Sequence, residues 1–95
     1  MENVKAVIEE VLEHIKNSRF SVARQVFLDN YKIIENFLLF IGENQIITGD
    51  ELRDLSENLV ASLENNDYYR LEDTLRYAIL SVYNQLFGEE TENEE

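Results

Sequence analysis

Two apolar stripes separated by a three-residue polar break constrain this 95-residue chain more than any other feature. Leu52, Leu55, Leu59 and Leu63 follow one another at spacings of three and four residues, which places them on one face of an α-helix. Asn65-Asn66-Asp67 interrupts the pattern, and Leu71, Leu75, Ala78, Val82 and Leu86 resume it. Asn and Asp side chains hydrogen-bond nearby backbone N–H groups, so they favour turns and helix starts over helix interiors. Asp67 or Asn66 is therefore the expected N-cap of the later helix. So short a connection makes the two helices antiparallel neighbours.

The residues Asp67-Tyr68, Leu71, Asp73, Leu75 and Tyr77 form a D-Y-x-x-L-x-D-x-L-x-Y run. It resembles a signature near the C-terminus of small acidic helical-bundle proteins of Firmicutes-type bacteria. That pattern continues with an acidic residue and a Pro, where this chain has Ala78 and Ser81. The resemblance implies a helical fold and transfers no site.

The remaining sequence reads as helix too. There is no Pro, and the three glycines are Gly42, Gly49 and Gly88, so breakers are few. A first helix is expected over roughly 3–16, with Val4, Val7, Val11 and Ile15 as its stripe, widened by Ile8 and Leu12. Asn17 to Ser21 is the first turn, with Asn17, Ser18 or Ser21 able to cap. A second helix is expected over roughly 20–41. Val22, Val26, Ile33, Phe37 and Phe40 form one apolar line on it, and Phe27, Ile34, Leu38 and Ile41 another. Its end, Phe37 to Ile41, is apolar nearly all round, which marks either deep burial or a contact surface. Gly42 is the expected stop, and Ile46-Ile47 are expected to tuck against the end of the bundle. Thr48 and Glu51 have the spacing of a capping box opening a third helix over roughly 49–64. A fourth covers roughly 67–87, with Gly88 ending it.

The expected architecture is all-α: an up-down four-helix bundle of two αα-hairpins in residues 1–88, followed by a disordered acidic tail, 89–95. A faint repeat accompanies it. The first and third stripes align at a separation of 48 residues, the second and fourth at 49.

The formal charge is −12 and is uneven: residues 1–41 carry five Lys/Arg against six Asp/Glu, residues 42–87 three against nine, and the last eight residues five Glu and no base. Such a surface argues against nucleic acid or anionic lipid as partner and is compatible with a basic protein partner or with mere solubility. The most apolar segment, Ile33 to Ile41, is too short to span a bilayer and contains Glu35. No secretory signal pattern is visible at the N-terminus. There is no Cys, hence no disulfide framework, thiolate nucleophile or zinc–thiolate site. A cytoplasmic location is expected.

No catalytic constellation stands out. A di-iron bundle needs Glu-x-x-His on two helices, and the single His14 has Val11 three residues before it. His14 and Glu10 read as a surface pair. Calcium-loop, P-loop and dinucleotide patterns are missing. Adjacent carboxylates such as Asp50-Glu51 and Glu72-Asp73 are what a solvated helix face produces. No enzyme and no cofactor are expected. Tyr suits interfaces because it joins apolar area to a polar tip. The candidate protein-contact residues are therefore Phe37, Phe40, Tyr68, Tyr69, Arg70, Arg76, Tyr77 and Tyr83. The expected function is a protein-interaction module, an adaptor or an export or assembly chaperone. The alternative is an acidic inhibitor or immunity-type protein occupying a basic, nucleic-acid-binding surface. A homodimer through the second helix is compatible with both.

Overall fold

The first helix, α1 (Glu2–Lys16), is the spine of the molecule. Its stripe is wide: Val4, Val7, Ile8, Val11, Leu12 and Ile15 are all buried. A face that broad must be covered by more than one neighbour, and α1 packs against three of the four other helices. The computed structural model describes residues 2–88, and over these it is all-helical. After α1 come α2 (Phe20–Asp29), α3 (Tyr31–Glu43) and α4 (Gly49–Glu64). The last helix, α5, has three consecutive parts: an α-helical start at Tyr68–Asp73, a π-helical segment at Thr74–Leu80 and an α-helical end at Ser81–Phe87. The expected acidic tail, 89–95, lies outside the described residues.

Among the described residues the helices therefore number five, not four. The expected second helix is broken at Asn30, whose φ of −115° and ψ of 15° are not helical. The Asn30 Nδ2 donates to the Val26 carbonyl oxygen at 2.9 Å. The side chain thus offers the backbone an alternative to continued helix. Two shorter rods replace one rod of about 30 Å, and the molecule measures 33 × 31 × 19 Å, a slab and not a column. Phe27, before the break, and Ile34, Phe37, Leu38 and Ile41, after it, are all buried. Tyr31 meets the Phe27 ring edge-on at 5.5 Å.

Helix ends are made largely without glycine. Asn17, Asn30, Asn44 and Asn65 stand one residue past α1, α2, α3 and α4. Each Nδ2 donates to the carbonyl four residues back, at 2.8 to 2.9 Å, and so gives an oxygen that already accepts the Asn backbone N–H a second donor. At three of these ends the next residue is left-handed: Ser18 at φ 60°, Gln45 at 57° and Asn66 at 52°. The chain then closes back with Arg19 N to His14 O, Ile46 N to Ile41 O and Asp67 N to Ser62 O, at 2.8 to 2.9 Å. This is the Schellman pattern. Asn30 lacks the left-handed successor, so α2 bends into α3 without the same closure. Gly42, the expected stop, lies inside α3 instead. A Cβ on it would sit 2.7 Å from Leu52 Cδ2, so the missing side chain lets α3 approach α4. Gly88, at φ 72°, does end α5.

Helix starts follow the sequence more closely. The Thr48 hydroxyl accepts from Glu51 N at 3.0 Å, and Glu51 Oε1 accepts from Thr48 N at 2.8 Å, completing the capping box. The Asp67 carboxylate caps α5 through Arg70 N at 3.1 Å. The start of α2 at Arg19 has no side-chain cap. Of the Ile46-Ile47 pair, Ile47 packs on the core and Ile46 is exposed.

The two halves correspond structurally at one corner, at a single separation of 48 residues. The left-handed Ser18 corresponds to Asn66, the N-caps Arg19 and Asp67 follow, and then Phe20 and Tyr68 open their helices. Phe20 and Tyr68 stack on each other at 4.9 Å and 19°. Buried Ala23 and Phe27 correspond to buried Leu71 and Leu75. Beyond these the halves diverge: one breaks at Asn30, the other enters the π segment.

The π segment resets the buried face of α5. Leu71, Leu75, Ile79 and Tyr83 are buried, all four residues apart, whereas the expected Ala78 and Val82 are half-buried and Leu86 is exposed. In an α-helix each four-residue step drifts about 40° around the axis. The slower winding of a π turn cancels much of that drift and keeps the four side chains in line.

Two outcomes follow for stability. Gln45→Gly relieves a left-handed non-glycine residue and should stabilise by about 1 kcal/mol, raising the melting midpoint by roughly 4–8 °C in a thermal melt. Deleting Ala78 restores spacings that an α-helix tolerates from Leu71 through Tyr83. This variant should fold with an equal or higher midpoint; if it unfolds, packing and not spacing requires the π turn.

Candidate protein-contact groove

The groove of interest runs between α4 and the π segment of α5. On α4 the capping box fixes the first turn, and Glu51, Asp54, Leu55 and Asn58 then recur along one face. On α5 the facing residues are Thr74, Tyr77, Ala78 and Val82. Leu55 and Thr74 are buried and form the floor with half-buried Ala78. Exposed Glu51 and Asp54 make one rim. Tyr77, 71% exposed, makes the other. Ile47 and Val82 complete the lining, and the volume of this open cleft is about 360 Å³.

Asn58 in this lining is clamped to α5. The Asn58 Oδ1 accepts from Arg70 Nε at 2.9 Å and from Arg70 Nη2 at 2.6 Å. This fork ties the middle of α4 to the first turn of α5. Arg24 supports the same helix elsewhere: its Nη1 donates to the Leu63 carbonyl at 2.7 Å, near the C-terminal end of α4, where a cation suits the helix dipole. Thr74 Oγ1 donates back to the Arg70 carbonyl at 2.8 Å, where the helix passes from α to π winding. No Lys or Arg lines the groove. Arg53, on α4, is engaged by Asp50 at 2.8 Å.

The residues singled out from sequence do not form one surface. Phe37 and Tyr83 are buried and face each other at 5.7 Å, so they belong to the core and offer no contact. Phe40 is half-buried against the core, and Tyr68 is half-buried on Phe20. Arg76 is exposed and pairs with Glu72 at 2.9 Å. Tyr69, 71% exposed, does not line the groove. Tyr77 alone of the eight lines it, with Arg70 behind Asn58. The sequence reading missed Glu51, Asp54, Leu55, Asn58, Ala78 and Val82. The i, i+3, i+4, i+7 spacing of the four α4 residues was readable. The α5 wall was not, because the π turn moves Ala78 and Val82 off the core.

A second, nearly apolar groove of about 330 Å³ lies among Leu28, Tyr31, Leu59, Val60 and Leu63. His14 is held between two neighbours: Nδ1 accepts from Arg19 Nε at 2.9 Å, and Nε2 lies 3.7 Å from Glu10. Among the described residues there is no group of three or more His, Cys, Asp or Glu that could hold a metal ion. No described helix is long and apolar enough to cross a membrane.

Fold and groove together define an all-helical, acidic protein with an open cleft between two helices. Comparison with protein-family models, curated proteins and solved structures returned no match.

The clamp is testable alone. Asn58→Ala and Arg70→Ala, singly and together, should give a coupling of roughly 0.5–1 kcal/mol in urea unfolding, as expected for an exposed hydrogen-bonded pair. A coupling near zero would mean that α4 and α5 are held by their apolar contacts alone.

Proposed function

We propose that this protein is a non-enzymatic interaction module, an adaptor or assembly chaperone that binds a protein partner. The observation that carries the reading is the α4–α5 groove, where apolar side chains form a floor between carboxylates and an exposed Tyr. Apolar floor, polar rim and aromatic edge are the ingredients of a protein-recognition surface. The resemblance of the Asp67–Tyr77 run to small acidic helical-bundle proteins is compatible with this role, and a cytoplasmic location is part of the proposal.

A second reading has its own support. Residues 42–87 carry nine acids against three bases, and the groove lies within them. An acidic inhibitor or immunity-type protein covering a basic, nucleic-acid-binding surface would use that face. Its binding would be far more sensitive to salt.

The experiment is affinity capture from native lysate with the tagged full chain and with Tyr77→Ala, at low and high salt. One stoichiometric partner, lost with Tyr77→Ala, is the expected result. Retention at high salt selects the adaptor, and complete loss selects the inhibitor. Absence of any specific partner at both salt concentrations would remove both readings.

A further inference from the structure

Resting on the interaction-module reading, we infer that the α4–α5 groove takes a cationic amphipathic helix of the partner, with apolar side chains seated on the floor and Lys or Arg over Glu51 and Asp54. Three features of the groove select this occupant. Both walls are helices whose backbone groups bond within the helix, so there is no strand edge for an extended peptide to join. Recognition must therefore run through side chains, as when a helix lies in a groove. The rim residues Glu51 and Asp54 are exposed, and no base lines the groove to neutralise them. A cationic ligand is thus complementary, and a second copy of this chain, also at −12, meets repulsion. Finally, Tyr77 stands 71% exposed at the opposite rim, with a ring face available to a guanidinium or ammonium group.

The length of the α4 wall suits the same occupant. Glu51 to Asn58 spans about 10 Å of helix axis, the length of two helical turns. Such a ligand presents apolar residues at i, i+3, i+4 and i+7, enough to follow the floor from Ile47 toward Asn58. The π turn sets the shape of the floor, because it leaves Ala78 and Val82 half-buried beside the core positions Ile79 and Tyr83.

The test uses the full chain, isotopically labelled, and two synthetic peptides of roughly 14 residues. One has Leu on an i, i+3, i+4, i+7 face and Lys elsewhere; the other replaces Lys with Glu. The Lys peptide should shift amide resonances at 51–58 and 74–82, and the Glu peptide should not. Asp54→Lys should weaken binding by roughly tenfold. Asp29→Lys, an equal charge change on α2, should weaken it several-fold less. A thermal melt of both variants establishes that they fold.

Three results would overturn the inference. Equal loss in the two variants, or shifts spread over the surface, would mean nonspecific attraction to an acidic protein. Shifts centred on 59–64 would move the site to the apolar groove beside Leu28. No binding of the Lys peptide would remove the cationic helix as occupant. Each leaves the broader reading standing or falling on whether the capture experiment finds a specific partner, a readout that does not require the partner to be a cationic helix.

Discussion

The structure depends on the way its helices stop. In a chain with no Pro and three glycines, Gly88 alone of the glycines ends a helix among the described residues, and asparagine stands at the ends of the other four. Asn17, Asn44 and Asn65 each bond back to a carbonyl four residues earlier, and the following residue turns left-handed. Left-handed backbone costs a non-glycine residue roughly 1 kcal/mol, yet Ser18, Gln45 and Asn66 all adopt it. The closing bonds and the burial of the flanking stripes offset that cost. If these ends shifted by one residue, the next helix would present a face rotated by about 100°. The spine of α1 would then lose the partners that cover it. Asn30 tests the relation from the other side: the same back-bond without a left-handed successor gives a bend.

The same demand for aligned apolar faces explains the π segment. Residues buried at consecutive four-residue steps cannot share one face of a regular α-helix for long. The first half of the molecule deals with its long apolar run by breaking it at Asn30, and the second half by underwinding it. The two halves share one corner, from Ser18 and Asn66 to Phe27 and Leu75, and these different solutions are why they look unlike afterwards. For the proposed contact groove the second solution matters more. Underwinding keeps α5 in one piece and leaves a strip of half-buried residues beside the core stripe, which becomes one wall of the groove.

These features were unequally legible in the sequence. The bounds of α4, the Thr48–Glu51 cap, the Asp67 cap and the Gly88 stop were readable, because each rests on local chemistry between residues a few positions apart. The break at Asn30 was masked by an apolar periodicity that runs through it from Phe27 to Ile34. Only the Asp29-Asn30 pair marked it. Gly42 misled because a glycine near a helix end usually terminates it, whereas here it makes room for Leu52. The shift from Ala78 and Val82 to Ile79 and Tyr83 could not be read by counting in threes and fours, since both sets fit a helix of some winding. For the site, aromatic identity proved a weak guide. Phe37 and Tyr83 went to the core, Tyr68 to a stack with Phe20, and Tyr77 to the groove. What separated them was helix phase, which the π turn changed for Tyr77 and Tyr83.

An all-helical surface also limits what the groove can recognise. Backbone hydrogen bonds are used up inside the helices, so selectivity must come from a few side chains: two carboxylates, one phenol and a floor of Leu, Thr and Ala. Such a set discriminates poorly by hydrogen-bond pattern and well by charge and by the spacing of apolar residues. An apolar side chain on the floor would supply contact area, while the exposed and screened rim carboxylates would weakly favour a cationic ligand and weakly disfavour an anionic one. Under the proposed interaction-module reading, the acidity around the groove would bias which partners approach, and residence time would be set by how well two helical turns of ligand fill the floor.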